Sequence, residues 1–119
     1  KMGAYYQKHL KTLSKYVYLP KIKNKYSKNV YWVFGLVLRK DANISLKKVM
    51  EQLKRRGIET RNFFWPLHQQ PILKKMGYFK NSKYPNAEFL SKNGFYKYFK
   101  KKKLCLSVDY VKVKNILNF

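Results

Sequence analysis

A single cysteine rules out an internal disulfide in these 119 residues, and Cys105 has no partner at metal-ligand spacing, so its thiol reads as incidental. The lack of disulfides fits a reducing cytoplasm, which is the expected location. Acids are scarce as well: Asp41, Glu51, Glu59, Glu88 and Asp109 are the full set, and most fall at turns or on polar helix faces. No second histidine, cysteine or carboxylate lies near His9, so that ring reads as a boundary residue and not a metal ligand. Long apolar runs are missing too. The longest, Val30 to Leu38, has nine residues, far below the roughly 20 that a bilayer-spanning helix needs. No charged-then-apolar leader follows Lys1. A soluble protein with no membrane partner is expected.

Arginine is the last scarcity. Of 28 basic residues, 24 are lysine and only Arg39, Arg55, Arg56 and Arg61 are arginine, against a net charge of +23. Such a charge attracts phosphate through counterion release, which makes a basic nucleic-acid or anionic-surface module the alternative reading. Base reading leans on arginine's planar fork, however, and lysine does not supply it. Lysine, asparagine, tyrosine, phenylalanine and isoleucine are also the residues of AT-rich codons, so compositional drift accounts for the same load. Nucleic acid is therefore not the expected partner.

What is present argues for one folded domain. Apolar residues make up 45% of the chain and aromatics 18%, and 119 residues suffice for one modest core and not two. Residues 1–18 read as a helix with Tyr6, Leu10, Leu13 and Val17 on one stripe. Pro20 closes it, and a lysine-rich loop follows over residues 21–29. Val30 to Leu38, β-branched and aromatic, reads as a strand apolar on both faces. Ser45 can cap a helix carrying Leu46, Val49, Met50 and Leu53, ending in Lys54, Arg55 and Arg56. Gly57 suits the left-handed position after that helix, with Ile58 folding back on its last turn.

Glu59 to Trp65 reads as a second strand, expected to pair with Val30–Leu38 while the intervening helix packs across one face. A loop bracketed by Pro66 and Pro71 follows, then a helical turn over Ile72–Met76 closed by Gly77. Pro85 starts a short helix that ends near Asn93-Gly94. From Phe95 the pattern is ambiguous. Residues 98–103 read as a solvated lysine-rich segment, and Ser107 as the cap of a last helix with Val111, Ile116 and Leu117. The whole chain, 1–119, reads as a single α/β (α+β) domain, a small sheet with flanking helices.

The stretch Gly57-Ile58-Glu59-Thr60-Arg61-Asn62-Phe63-Phe64-Trp65-Pro66-Leu67-His68, with Pro71, holds an arginine beside an aromatic run and one of two histidines. Together with Ala4-Tyr5-Tyr6-Gln7-Lys8-His9-Leu10, Asn29-Val30-Tyr31-Trp32-Val33-Phe34 and Tyr84-Pro85-Asn86-Ala87-Glu88-Phe89-Leu90-Ser91, it resembles the C-terminal small domain of the DegT/DnrJ/StrS sugar aminotransferases. Coverage is roughly residues 1 to 96. Phe63-Phe64-Trp65-Pro66-Leu67-His68 is similar to the perosamine synthase branch, and residues 97–119 depart from the family pattern.

The resemblance implies a fold-type I, pyridoxal-phosphate-dependent enzyme. It would transfer an amino group, usually from glutamate, to a nucleotide-linked 4-keto-6-deoxy sugar, and work as a homodimer. It also implies that the cofactor and its Schiff-base lysine belong to a large domain upstream, so this chain alone is expected to be inactive and to hold no catalytic residue. The small domain would supply one wall of the substrate cleft. There Arg61 would pair with a phosphate or carboxylate, Phe64 or Trp65 would stack on a sugar or base, and His68 would donate to a sugar or phosphate oxygen. Plain readings compete: a surface salt bridge from Arg61 to Glu59, and core packing for the aromatics. A decayed, inactive fragment is a further alternative.

Overall fold

The computed structural model describes residues 2–97. Cys105, the lysine-rich segment from Tyr98 and the expected helix after Ser107 lie outside the described residues. The first helix, α1, spans Met2–Leu10 and is followed by a 3-10 turn, Lys11–Leu13. This is shorter than the periodicity suggests. Tyr6, Leu10, Leu13 and Val17 are all buried as expected, but Val17 reaches the core from a two-residue strand, β1 (Val17–Tyr18). A β-branched residue between two tyrosines suits a pleated edge better than a helix end, and the Tyr16 carbonyl accepts a bond from the Arg39 amide at 2.9 Å.

Strand β2 is Phe34–Leu38, not the full apolar run. Asn29 explains the late start, because its Oδ1 accepts the Tyr31 amide at 2.8 Å and turns the chain. Tyr31 sits at φ 51, and Val30 and Trp32 point to solvent. The turned Tyr31 ring lies against Gly3 so closely that a Cβ there would collide with it. Gln7 Nε2 donates to the Pro20 carbonyl and to Tyr31 Oη, which clasps the loop onto α1.

Helix α2, Leu46–Arg55, starts after Ser45, although the serine side chain makes no capping bond. Its end follows the expected chemistry closely. Gly57 takes φ 79, its amide donates to the Lys54 carbonyl, and the Ile58 amide donates to the Leu53 carbonyl. Those bonds, together with the Arg56 amide on the same two carbonyls, satisfy acceptors at the helix end and fold buried Ile58 under the helix. Gly77 (φ 81) does the same for α3, Pro71–Lys75, with the Tyr78 amide bonded to the Leu73 carbonyl. Helix α4, Pro85–Asn93, runs directly into strand β4, Gly94–Lys97.

The remaining strand, β3, is Thr60–Asn62, and the sheet order is β1-β2-β4-β3 with every pair antiparallel. The expected pairing of the two apolar segments therefore does not occur. β4 lies between them, with Phe34 opposite Lys97 on one side and Thr60 opposite Lys97 on the other. Gly94-Phe95-Tyr96-Lys97 is fully apolar up to its last residue and buried over its first three. That burial profile suits a centre strand, whereas Arg61 and Asn62 are exposed and suit an edge.

Alternation gives the sheet two unlike faces. Phe34, Leu36, Leu38 and Phe95 join Tyr6, Leu10, Val49, Leu53 and Ile58 in the core beneath α1 and α2. Gly35, Val37, Gly94, Tyr96 and Arg61 share the opposite face by register. There the Phe63 ring lies over both glycines. A Cβ on Gly35 would be 2.9 Å from Phe63 Cζ, and one on Gly94 would be 2.6 Å from Phe63 Cδ2 and against the Leu90 carbonyl.

The two glycine types give separable predictions in urea denaturation. Gly94→Ala meets a fixed carbonyl and a ring, so it should cost roughly 2–3 kcal/mol. Gly57→Ala has open space and only the left-handed backbone to oppose it, so about 1 kcal/mol is expected. Equal losses would contradict this assignment. Tyr6, 3% exposed, has its phenol pushed up to about 12 by burial, with Tyr5 adding to the rise. The folded state thus keeps a proton that the unfolded chain loses near pH 10. The stabilisation is complete below pH 10 and declines toward pH 12, by roughly 2–3 kcal/mol in all. Comparing wild type with Tyr6→Phe at pH 9 and pH 11 should show the larger alkaline decline in wild type.

Candidate functional site

The sheet's glycine-bearing face leads directly into the loop of interest. The Phe63 amide donates to the Gly94 carbonyl at 3.1 Å, which fixes the last residue before the chain leaves β3. Phe63 turns onto the sheet, and Phe64 and Trp65 turn outward, 70% and 63% exposed. Phe64 stacks on Tyr96 of β4, with centroids 5.9 Å apart at 29°. Pro66 is buried, and a 3-10 turn over Leu67–Gln69 brings His68 inward to 9% exposure. Leu67 and Ile72 face solvent on either side of that turn. Phe63 is half-buried against the sheet, and Phe64 and Trp65 are exposed and outside the core.

His68 is held from α4. Its Nε2 lies 3.0 Å from Glu88 Oε1, and its ring packs at 4.8 Å on Tyr84, which in turn meets Phe79 edge-on. Glu88 is in the first turn of α4, and its amide donates to the Tyr84 carbonyl, so one short segment presents both partners. Left-handed backbone at Gly77, Phe79 and Asn81 folds the preceding loop into place. Sequence reasoning singled out His68 and missed Glu88, Tyr84 and Tyr96. The four-residue spacing of Tyr84 and Glu88 across a helix start was the available signal.

Arg61 is placed differently. It is exposed, stands opposite Tyr96 in the register, and lines a groove of about 1000 Å³ between α2 and the β3 edge. Lys47, Lys54 and Lys92 share that groove with Glu51 and Glu59. Phe64, Trp65 and His68 do not line it. The four candidate residues therefore form an aromatic step, a buried histidine and an edge arginine around Tyr96 and α4, with no single closed pocket. Such a surface can stack planar rings, exchange hydrogen bonds and attract anions. Among the described residues no group of three His, Cys, Asp or Glu side chains is placed to hold a metal ion, and no helix is long and apolar enough to cross a membrane.

A family model of the DegT/DnrJ/EryC1/StrS aminotransferases matches residues 1–96. The chain belongs to this family. No curated protein sequence matches it. Among solved structures it is similar to Escherichia coli GDP-4-keto-6-deoxy-D-mannose-3-dehydratase with bound hydrated PLP, at 24% identity and TM-score 0.73, covering 96% of this chain and 28% of that one. It is also similar to Helicobacter pylori PseC, an aminotransferase involved in the biosynthesis of pseudoaminic acid, at 16% identity and TM-score 0.78, covering 98% and 31%. A third is the aminotransferase TlmJ from Streptoalloteichus hindustanus, at 15% identity and TM-score 0.75, covering 98% and 30%.

This member of the DegT/DnrJ/EryC1/StrS family thus spans about a third or less of the length of the structures it resembles. Its fold is that of the small C-terminal domain of fold-type I pyridoxal-phosphate enzymes, a small antiparallel sheet with flanking helices. The family match ends at residue 96, inside β4.

The outward aromatics make a stability prediction. Trp65→Ala should change the urea midpoint by no more than about 0.5 kcal/mol, and Phe64→Ala by about 1 kcal/mol through loss of the Tyr96 stack. Phe63→Ala should cost about 3 kcal/mol. A large loss at Trp65 would mean that the loop packs inward and offers no surface.

Proposed function

We propose that the chain is the small domain of a pyridoxal-phosphate-dependent aminotransferase acting on a nucleotide-linked 4-keto-6-deoxy sugar, as perosamine synthases do. The observation that carries this reading is the family match over residues 1–96. Two solved relatives support the substrate and donor. One GDP-4-keto-6-deoxymannose-3-dehydratase holds GDP-perosamine, and another holds a trapped PLP-glutamate geminal diamine. In this reading the donor is glutamate, the enzyme is a homodimer, and the exposed loop from Phe64 to His68 is one wall of the cleft. Phe64 and Trp65 stack on the base or sugar, Arg61 meets a phosphate or carboxylate, and His68 bonds a sugar or phosphate oxygen.

The described residues do not themselves fit pyridoxal phosphate. Every described lysine is exposed except half-buried Lys97, which donates to Tyr6 Oη at 3.1 Å. Among the acids, Glu88 faces His68 and Asp41 faces Arg39. A cofactor lysine needs a held partner and a desolvated amine, and neither is found here. This reading assigns the cofactor to a large domain outside the chain. The basic-module alternative draws no support from the lysines, which are spread over α1, α2, α3, α4 and the loops between them.

The test uses the complete protein carrying this chain, with glutamate and GDP-4-keto-6-deoxymannose. Mass analysis should show a product in which the keto oxygen is replaced by an amino group. Loss of a hydroxyl instead would place the protein with the dehydratases and overturn the reading. Arg61→Ala should lower catalytic efficiency by about ten- to a hundredfold, the worth of one charge-assisted hydrogen bond, and His68→Ala by up to about tenfold, without weakening cofactor binding. The 119-residue chain alone should show no saturable spectral change with the cofactor.

A further inference from the structure

We infer that Glu88 is a positioning residue that fixes the His68 imidazole with its Nε2–H directed at the carboxylate and its Nδ1 left as a hydrogen-bond acceptor. The inference rests on the cleft-wall reading above and narrows what His68 can recognise. An ionised carboxylate only accepts hydrogen bonds, so a 3.0 Å contact between Glu88 Oε1 and His68 Nε2 requires the proton on that nitrogen. In the tautomer with its one proton on Nε2, the ring presents a lone pair at Nδ1. Nδ1 has no hydrogen-bond partner among the described residues, and no described side-chain nitrogen or oxygen is both buried and unpartnered, so Nδ1 reaches solvent. The ring cannot easily turn to swap its nitrogens. It is 9% exposed, with Tyr84 packed against it and Phe79 against Tyr84.

In that tautomer His68 accepts from a donor, and a nucleotide sugar offers its hydroxyls and the N–H groups of its base. Phosphate oxygens have no proton to give at neutral pH, so they fall to Arg61, which is exposed and lines a groove with three lysines. The division is a specificity statement: His68 reads a hydroxyl or base N–H and not a phosphate, and Glu88 sets that polarity without touching the substrate. The second-sphere carboxylate orienting a histidine is a common device at sites that need one tautomer.

Two measurements test it. Nitrogen-15 NMR of the complete protein, labelled at histidine, at pH 8 should show a single His68 tautomer, with a water-protected proton on Nε2. Glu88→Ala should lose that protection, and Glu88→Gln, whose amide oxygen still accepts, should keep it. A proton on Nδ1 in wild type, or a signal unmoved by Glu88→Ala, overturns the inference. In the complete protein, Glu88→Ala should raise KM for the nucleotide sugar about tenfold with kcat nearly unchanged, and Glu88→Gln should restore most of it. A parallel fall in kcat and thermal stability that Glu88→Gln does not rescue would show a structural role only, and also overturns it. A wild-type protein that does not aminate the sugar refutes the functional reading, and the NMR result then decides the positioning by itself.

Discussion

The aromatic loop depends on one contact, the Phe63 ring lying flat over two positions that carry no side chain. Gly35 on β2 and Gly94 on β4 leave a shallow trough in the sheet, and any Cβ at either would meet the ring. With the ring seated, the backbone after β3 is held close to the sheet, and the Phe63 amide reaches the Gly94 carbonyl. Beyond β3 the next two side chains, Phe64 and Trp65, are left exposed. The absence of two methyl groups sets the direction of the whole site-bearing loop.

The loop is held at its other end by chemistry of a different kind. Apolar seating fixes Phe63, whereas a hydrogen bond fixes His68, with Glu88 as partner and Tyr84 as packing. Between these anchors lie the exposed residues Phe64, Trp65 and Leu67. A surface held rigidly at two points, yet apolar and open between them, is poor design for a free domain and suitable for one face of a cleft.

Local chemistry was readable in the sequence, and long-range pairing was not. Lys54-Arg55-Arg56-Gly57-Ile58 announces its helix end through side-chain charge, a glycine and an apolar fold-back, all within five residues, and the structure matches. Pro85 starts its helix in the same local way, whereas Pro71, expected to close the loop, is the first residue of α3. The strand order was misjudged because β4 is only four residues long, opens with glycine, and precedes a lysine-rich run. Neither alternation nor propensity signals a centre strand of that length. The start of β2 was misjudged for another reason, since one side-chain bond from Asn29 overrode the strand preference of Val30, Tyr31 and Trp32. The candidate site was partly readable: its loop and His68 stood out, but Glu88 lies twenty residues from His68, and only the fold joins them.

The seating of Phe63 is best tested by a double-mutant cycle between Gly35→Ala and Phe63→Ala, read as urea stability. The Cβ at Gly35 meets only Phe63 atoms within 4 Å, so its penalty should exist only when the ring is there. Gly35→Ala is expected to cost about 1–2 kcal/mol in the native background and close to nothing in the Phe63→Ala background, a coupling of at least about 1 kcal/mol. If the two losses simply add, to within about 0.5 kcal/mol, the ring does not rest on that glycine and the account of the loop is wrong.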